Sequence, residues 1–116
     1  ALFAQTSLSV AGSLIAGGTY EAEGVLVFVL NSVNSISKIT FSNSTRGEAI
    51  EVEETFTTGD ILIVDAEEKT VTLNGTAVDY NGVFPVFSVG SNNYTIEATG
   101  TSIDYDVTLK YKTTYL

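Results

Sequence analysis

Residues 59–100 read GDILIVDAEEKTVTLNGTAVDYNGVFPVFSVGSNNYTIEATG and leave room for little but short strands joined by tight turns. Ala66-Glu67-Glu68-Lys69 separates ILIV from TVTL and reads as a hairpin loop. Asn74-Gly75 is a two-residue hairpin signal, because both residues tolerate the positive φ angles of a type I′ turn. Asn81-Gly82 repeats that signal one short strand later. Gly17-Gly18 and Gly100 mark further loops. The single proline, Pro85, argues for an edge or a loop, since it cannot donate to a ladder.

Alternation says which faces these strands bury. Ile103, Tyr105, Val107, Leu109 and Tyr111 share one face, and Asp104, Asp106, Thr108, Lys110 and Lys112 the other. Tyr94, Ile96 and Ala98 alternate with polar residues in the same way, as do Ile50 and Val52, and Ile39 and Phe41. Two runs, VLVFVL at 25–30 and ILIV at 61–64, are apolar on both faces. One face of a sandwich strand ordinarily meets water, so double apolarity points to a second domain or subunit over the outer face. No segment keeps a 3.6-residue period, although the apolar spacing of residues 1–16 suits a short helix as well as strands. Many short strands without helices predict an all-β chain folded as an antiparallel β-sandwich.

The length, 116 residues, suits a single domain spanning 1–116. No cysteine is present, so neither disulfides nor thiolate metal sites are available. Fourteen acidic against five basic residues give a formal charge of −9. That surface repels phosphate backbones and anionic lipid, which argues against nucleic acid or membrane as partner. The longest apolar run is far short of the roughly 20 residues of a membrane span. The first 18 residues lack a basic segment and make a poor signal peptide. A chain that begins without Met is expected to be a piece of a longer protein.

Histidine is also absent. This removes Ser-His-Asp and Cys-His catalysis and histidine metal sites, so no catalytic, metal or cofactor residues are assigned and an enzyme is not expected. Asp104 and Asp106 form a pair on one strand face, but they alternate with Lys110 and Lys112 as a solvated face would. Glu51, Glu53 and Glu54 read as solvation and as a deterrent to edge pairing. Asp60 follows Gly59 where a carboxylate can accept backbone bonds in a turn. Gly17-Gly18 is not followed by a phosphate-loop Lys-Ser/Thr, so no nucleotide site is indicated. Tyr20 and Tyr80 lie beside glycine-containing loops and are the candidates for exposed aromatic contacts, with Asn81 beside Tyr80. A tyrosine flanked by Asn and acidic groups suits a sugar or a protein partner. The sequons at Asn43, Asn74 and Asn93 are expected by chance in a chain so rich in Ser, Thr and Asn.

The order of these motifs resembles the C-terminal domain of distal tail proteins of long-tailed siphophages. The resemblance rests on the Gly59-Asp60 opening, ILIVD, the charged turn 67–69, TVTLNG, Val83-Phe84-Pro85, Gly90-Ser91-Asn92, and the last strand closing on Tyr115-Leu116. Upstream, SISKITFSNSTRGEAIEV is similar to the family's preceding hairpin, with Asn43 and Gly47 in the turn. The resemblance implies a jelly-roll, galectin-like or carbohydrate-module-like sandwich. It would be the outer C-terminal domain of a protein whose other domain builds a hexameric ring. It further implies the virion tail as location, with the tail tube, baseplate hub and receptor-binding protein as partners. The isolated domain is expected to be monomeric. Galectins bind sugar with His, Trp and Arg, and this chain has neither His nor Trp. The expected function is a structural and interaction domain of a phage tail tip, in baseplate assembly or host attachment. The alternative is a carbohydrate-binding sandwich module of a phage adhesin or secreted protein, with Tyr20, Tyr80 and Asn81 meeting a host surface glycan.

Overall fold

The structure, a computed structural model, describes residues 2–5, 9–16, 22–84, 86–87 and 90–111. Among the described residues twelve strands follow one another: β1 (Leu2–Gln5), β2 (Ser9–Ala16), β3 (Ala22–Asn34), β4 (Lys38–Asn43), β5 (Glu48–Glu53), β6 (Ile61–Asp65), β7 (Thr70–Leu73), β8 (Thr76–Ala77), β9 (Asn81–Gly82), β10 (Val86–Phe87), β11 (Gly90–Thr99) and β12 (Ser102–Tyr111). They form two antiparallel sheets packed as a β-sandwich. The first runs β1-β12-β3-β6-β7-β8, with β10 also on β3, and the second runs β2-β11-β4-β5-β9. Residues 2–5 and 9–16 are strands, paired with β12 and β11 at the far end of the chain. That partnership settles the period that the sequence left open between helix and strand.

The core lies between the two inner faces. Leu26, Phe28, Leu30, Leu62, Val64, Val71, Ile103, Tyr105 and Val107 meet Ile39, Phe41, Ile50, Val52, Ile96 and Ala98. For β4, β5, β11 and β12 these are the inward residues that alternation predicts; on β3 and β6, apolar on both faces, the packing selects Leu26, Phe28, Leu30, Leu62 and Val64. Each large side chain so buried contributes roughly 1.5–3 kcal/mol. Ile36 and Phe56 come from the connections and close the core, with the Phe56 N–H donating to the Ile36 carbonyl at 3.1 Å. A bulge keeps the long β3–β12 pair in phase. Asp104 faces Ser32 while Tyr105 faces Leu30, so Asn31 is extra. Its amide donates to the Asp106 carboxylate at 3.2 Å outside the core.

Among the described residues Tyr105 is the largest fully buried side chain, and its hydroxyl has no partner there. Burial, with a smaller push from Tyr94, raises its pKa to about 12. The unfolded chain would release that proton near pH 10, so this contribution to stability is full below pH 10 and drains away as pH rises towards 12. Tyr105→Phe is therefore expected to equal or exceed the wild type at neutral pH, by up to about 1 kcal/mol, since it removes a desolvated donor. The variant should also lose part of the alkaline slope. Urea melts at pH 7 and pH 11 measure both effects.

Asp60 behaves as its place in the turn predicts. It accepts the Thr57 N–H at 2.8 Å, the Thr57 hydroxyl at 3.0 Å and the Asn74 amide at 2.8 Å. Asn74 sits at φ 53° and Gly75 at φ 84° in the β7–β8 hairpin, as a type I′ turn requires. The same Asn74 side chain accepts the Ile61 N–H at 2.9 Å, so one turn residue also fastens the start of β6. Burial pushes the Asp60 pKa up, but the hydrogen bonds from Thr57 and Asn74 outweigh it, and the carboxyl titrates below its usual 3.8. The stability it supplies is present above about pH 4 and is lost as pH falls through the lower folded value. Asp60→Ala should cost about 2 kcal/mol at pH 7, and the gap from wild type should narrow in acid. Thermal melts from pH 7 to pH 2.5 check this.

Asn81-Gly82 does not form a second hairpin. These residues are β9, which crosses to the other sheet and pairs with Ile50 and Glu51 of β5. A type I′ turn needs positive φ at both positions, and only Gly82 has it, at 103°. Pro85 and Tyr20 lie outside the described residues.

Candidate functional site

The β5–β9 edge carries an open cleft of about 400 Å³ lined by Glu53, Asp79, Tyr80 and Asn81. Each side chain gets there for a local reason. Glu53 ends β5, at the register where that strand pairs with Lys38 of β4. Asn81 is set opposite Glu51, and the Val83 N–H donates to the Ala49 carbonyl at 2.9 Å, pinning both ends of β9. Gly82 lies so close to β5 that a Cβ would stand 2.1 Å from the Ala49 oxygen. Tyr80 leans on the Phe84 ring with centroids 4.7 Å apart at 58°, and the Lys69 ammonium sits 5.8 Å from the Phe84 centroid. This aromatic pair holds the phenol in place while leaving it 39% exposed.

Two of the three candidates from the sequence, Tyr80 and Asn81, are thus neighbours on one cleft. The third, Tyr20, is not among the described residues. The sequence assigned Glu53 to a solvated cluster and left Asp79 unassigned. Asp79 was within reach as the residue before Tyr80. Glu53 joins the site only through the pairing of Glu51 with Asn81, which no local pattern announces.

Chemically the cleft offers two carboxylates that accept hydrogen bonds, a carboxamide and a phenol that do both, and an aromatic face. That set suits the hydroxyls of a polyol or the amines of a protein. Among the described residues no three His, Cys, Asp or Glu side chains gather as a metal site would require. Two other acidic side chains have partners within the fold. Asp65 accepts the Glu68 N–H at 3.0 Å in the β6–β7 turn, and Glu51 lies 4.0 Å from Lys38. Asn43 is buried, donating to the Val86 carbonyl at 3.2 Å and to Asn92 at 3.3 Å, so in the folded domain it is a fastening between strands.

Residues 17–115 match the family of the siphovirus-type tail component, C-terminal domain, and the chain belongs to that family. No curated protein matches it.

Proposed function

We propose that this chain is the outer C-terminal domain of a distal tail protein and works in the virion tail as a structural and interaction unit, in baseplate assembly or host attachment. The observation that carries this reading is the match over residues 17–115 to a tail-component C-terminal domain. It is supported by a chain without Cys or His, which removes Ser-His and Cys-His nucleophiles. In this reading the parent protein forms a hexameric ring joining the tail tube, baseplate hub and receptor-binding protein, and the isolated domain is a monomer. Negative-stain imaging of tails labelled with an antibody to the domain tests it. Label is expected at the distal tip, and label along the tube or on the head would refute it.

The cleft favours a second reading, a carbohydrate-binding module. Tyr80 offers an apolar face to a sugar ring, while Glu53, Asp79 and Asn81 offer acceptors to its hydroxyls. A glycan array of host wall polymers discriminates. Binding that Tyr80→Ala abolishes supports this reading, and no binding at millimolar sugar removes it.

A further inference from the structure

The outer face of the first sheet is not the half-wet surface of an ordinary sandwich. On β3, Val25, Val27 and Val29 point away from the core, alternating with buried Leu26, Phe28 and Leu30. On β6, Ile61 and Ile63 do the same around Leu62 and Val64. The register sets Val27 opposite Ile63 and Val29 opposite Ile61, so five β-branched aliphatics make one stripe across two strands. Val25, Val27, Val29 and Ile63 are partly buried by neighbouring side chains, and Ile61 is 40% exposed. The stripe ends in carboxylates. Asp65 faces Val25 at one end, Asp106 faces Val29 at the other, and Asp104 lies one outward position further along β12. Thr72 and Thr108 flank the sides, opposite Ile63 and Val27. On β12 the register sets Lys110 opposite Val25, at the Asp65 end, while the carboxylates Asp104 and Asp106 hold the opposite end. Lys38 and Arg46 belong to the other sheet and its β4–β5 turn.

An apolar centre with a charged rim is the anatomy of a protein interface. The sign of the rim selects the occupant. Covering the stripe strips water from Asp65 and Asp106, which is unfavourable unless cations replace it. A second copy would bring another acidic rim, and a further net charge of −9, against the first. Anionic lipid is disfavoured on the same ground. We infer that the Val25-Val27-Val29/Ile61-Ile63 stripe seats a neighbouring tail protein whose contact surface has an apolar centre with lysine or arginine set against the Asp104–Asp106 end. This rests on the tail-component reading above.

Hydroxyl-radical footprinting of purified tails and of the isolated domain, with carbodiimide crosslinking of the same tails, tests the inference. Val25, Val27, Val29, Ile61 and Ile63 should react in the isolated domain and several-fold more slowly in tails. Asp104 or Asp106 should be joined to a lysine of a different tail protein, and the Asp104→Asn/Asp106→Asn pair should abolish that product. Val27→Thr with Ile63→Thr, which keeps the β-branch, should leave the melting temperature of the isolated domain nearly unchanged yet reduce incorporation into tails roughly tenfold. Equal reactivity in tails and isolated domain overturns the inference, as does protection already complete in the isolated domain, or crosslinking to another copy of this chain. Mass spectrometry of the same tails separates the two failures. Absence of the chain from tails overturns the tail reading and this inference together, and its presence with a freely reactive stripe overturns the inference alone.

Discussion

Phe28→Ala is expected to leave the isolated domain barely folded at room temperature, whereas Val29→Ala, one residue along the same strand, should be nearly silent. Phe28 is 1% exposed and lies opposite Val107 on one side and Leu62 on the other, so its ring stands at the middle of the first sheet's inner face. It also contacts Tyr105, with ring centroids 6.3 Å apart at 37°. Truncation removes the transfer energy of the ring and leaves a void that flanking β-strands cannot close, a loss of about 3–5 kcal/mol. Small domains have roughly 5–15 kcal/mol in total, so this one substitution takes a large share. Val29 faces outward beside Ile61 and Asp106, and its truncation should cost well under about 1.5 kcal/mol. Urea melts read the contrast as a large fall in midpoint for Phe28→Ala with the slope unchanged. Comparable losses at both positions would mean that the outer stripe is needed for folding, and would weaken its reading as a docking surface.

This contrast also separates what the sequence disclosed from what it hid. Alternation assigned the inner faces of β4, β5, β11 and β12 correctly, because a period of two is a local property of a half-wet strand. The Asn74-Gly75 turn and the acceptor role of Asp60 were legible for a similar reason, since both depend on backbone angles within a few residues. The double apolarity of VLVFVL and ILIV pointed to an outer face of unusual character, but only the register of β3 with β6 turned two runs into one stripe. Residues 1–16 were ambiguous because their partners, β11 and β12, lie at the opposite end of the chain. Asn81-Gly82 was misread on chemistry that is right for turns. The glycine is there because the β5 backbone comes too close for any side chain, a tertiary demand that leaves the same local signature.

That close approach makes Gly82 the residue on which the candidate cleft depends. In Gly82→Ala the new Cβ would stand 2.1 Å from the Ala49 carbonyl oxygen and 3.0 Å from its carbon, and backbone at a sheet edge cannot swing aside as a side chain would. The φ of 103° adds strain of its own, because L side chains rarely adopt it. The two effects together should cost roughly 2–4 kcal/mol if β9 stays paired. A two-residue strand held at Ile50 and Glu51 has less than that to lose, so the expected outcome is local. β9 should detach from β5, while the core cluster on the inner faces, which does not include Gly82, persists. Hydrogen exchange would then show the Val83 amide, bonded to Ala49 in the wild type, exposed at little change in global melting temperature. Tyr80 and Asn81 would no longer be held against Glu53, and any ligand or partner bound at the cleft would be released. Contacts made through the valine–isoleucine stripe on the other sheet should survive the same substitution. If Gly82→Ala melts the whole domain cooperatively, the β5–β9 edge is part of the folding unit rather than an appended clasp, and the cleft is as rigid as the core behind it.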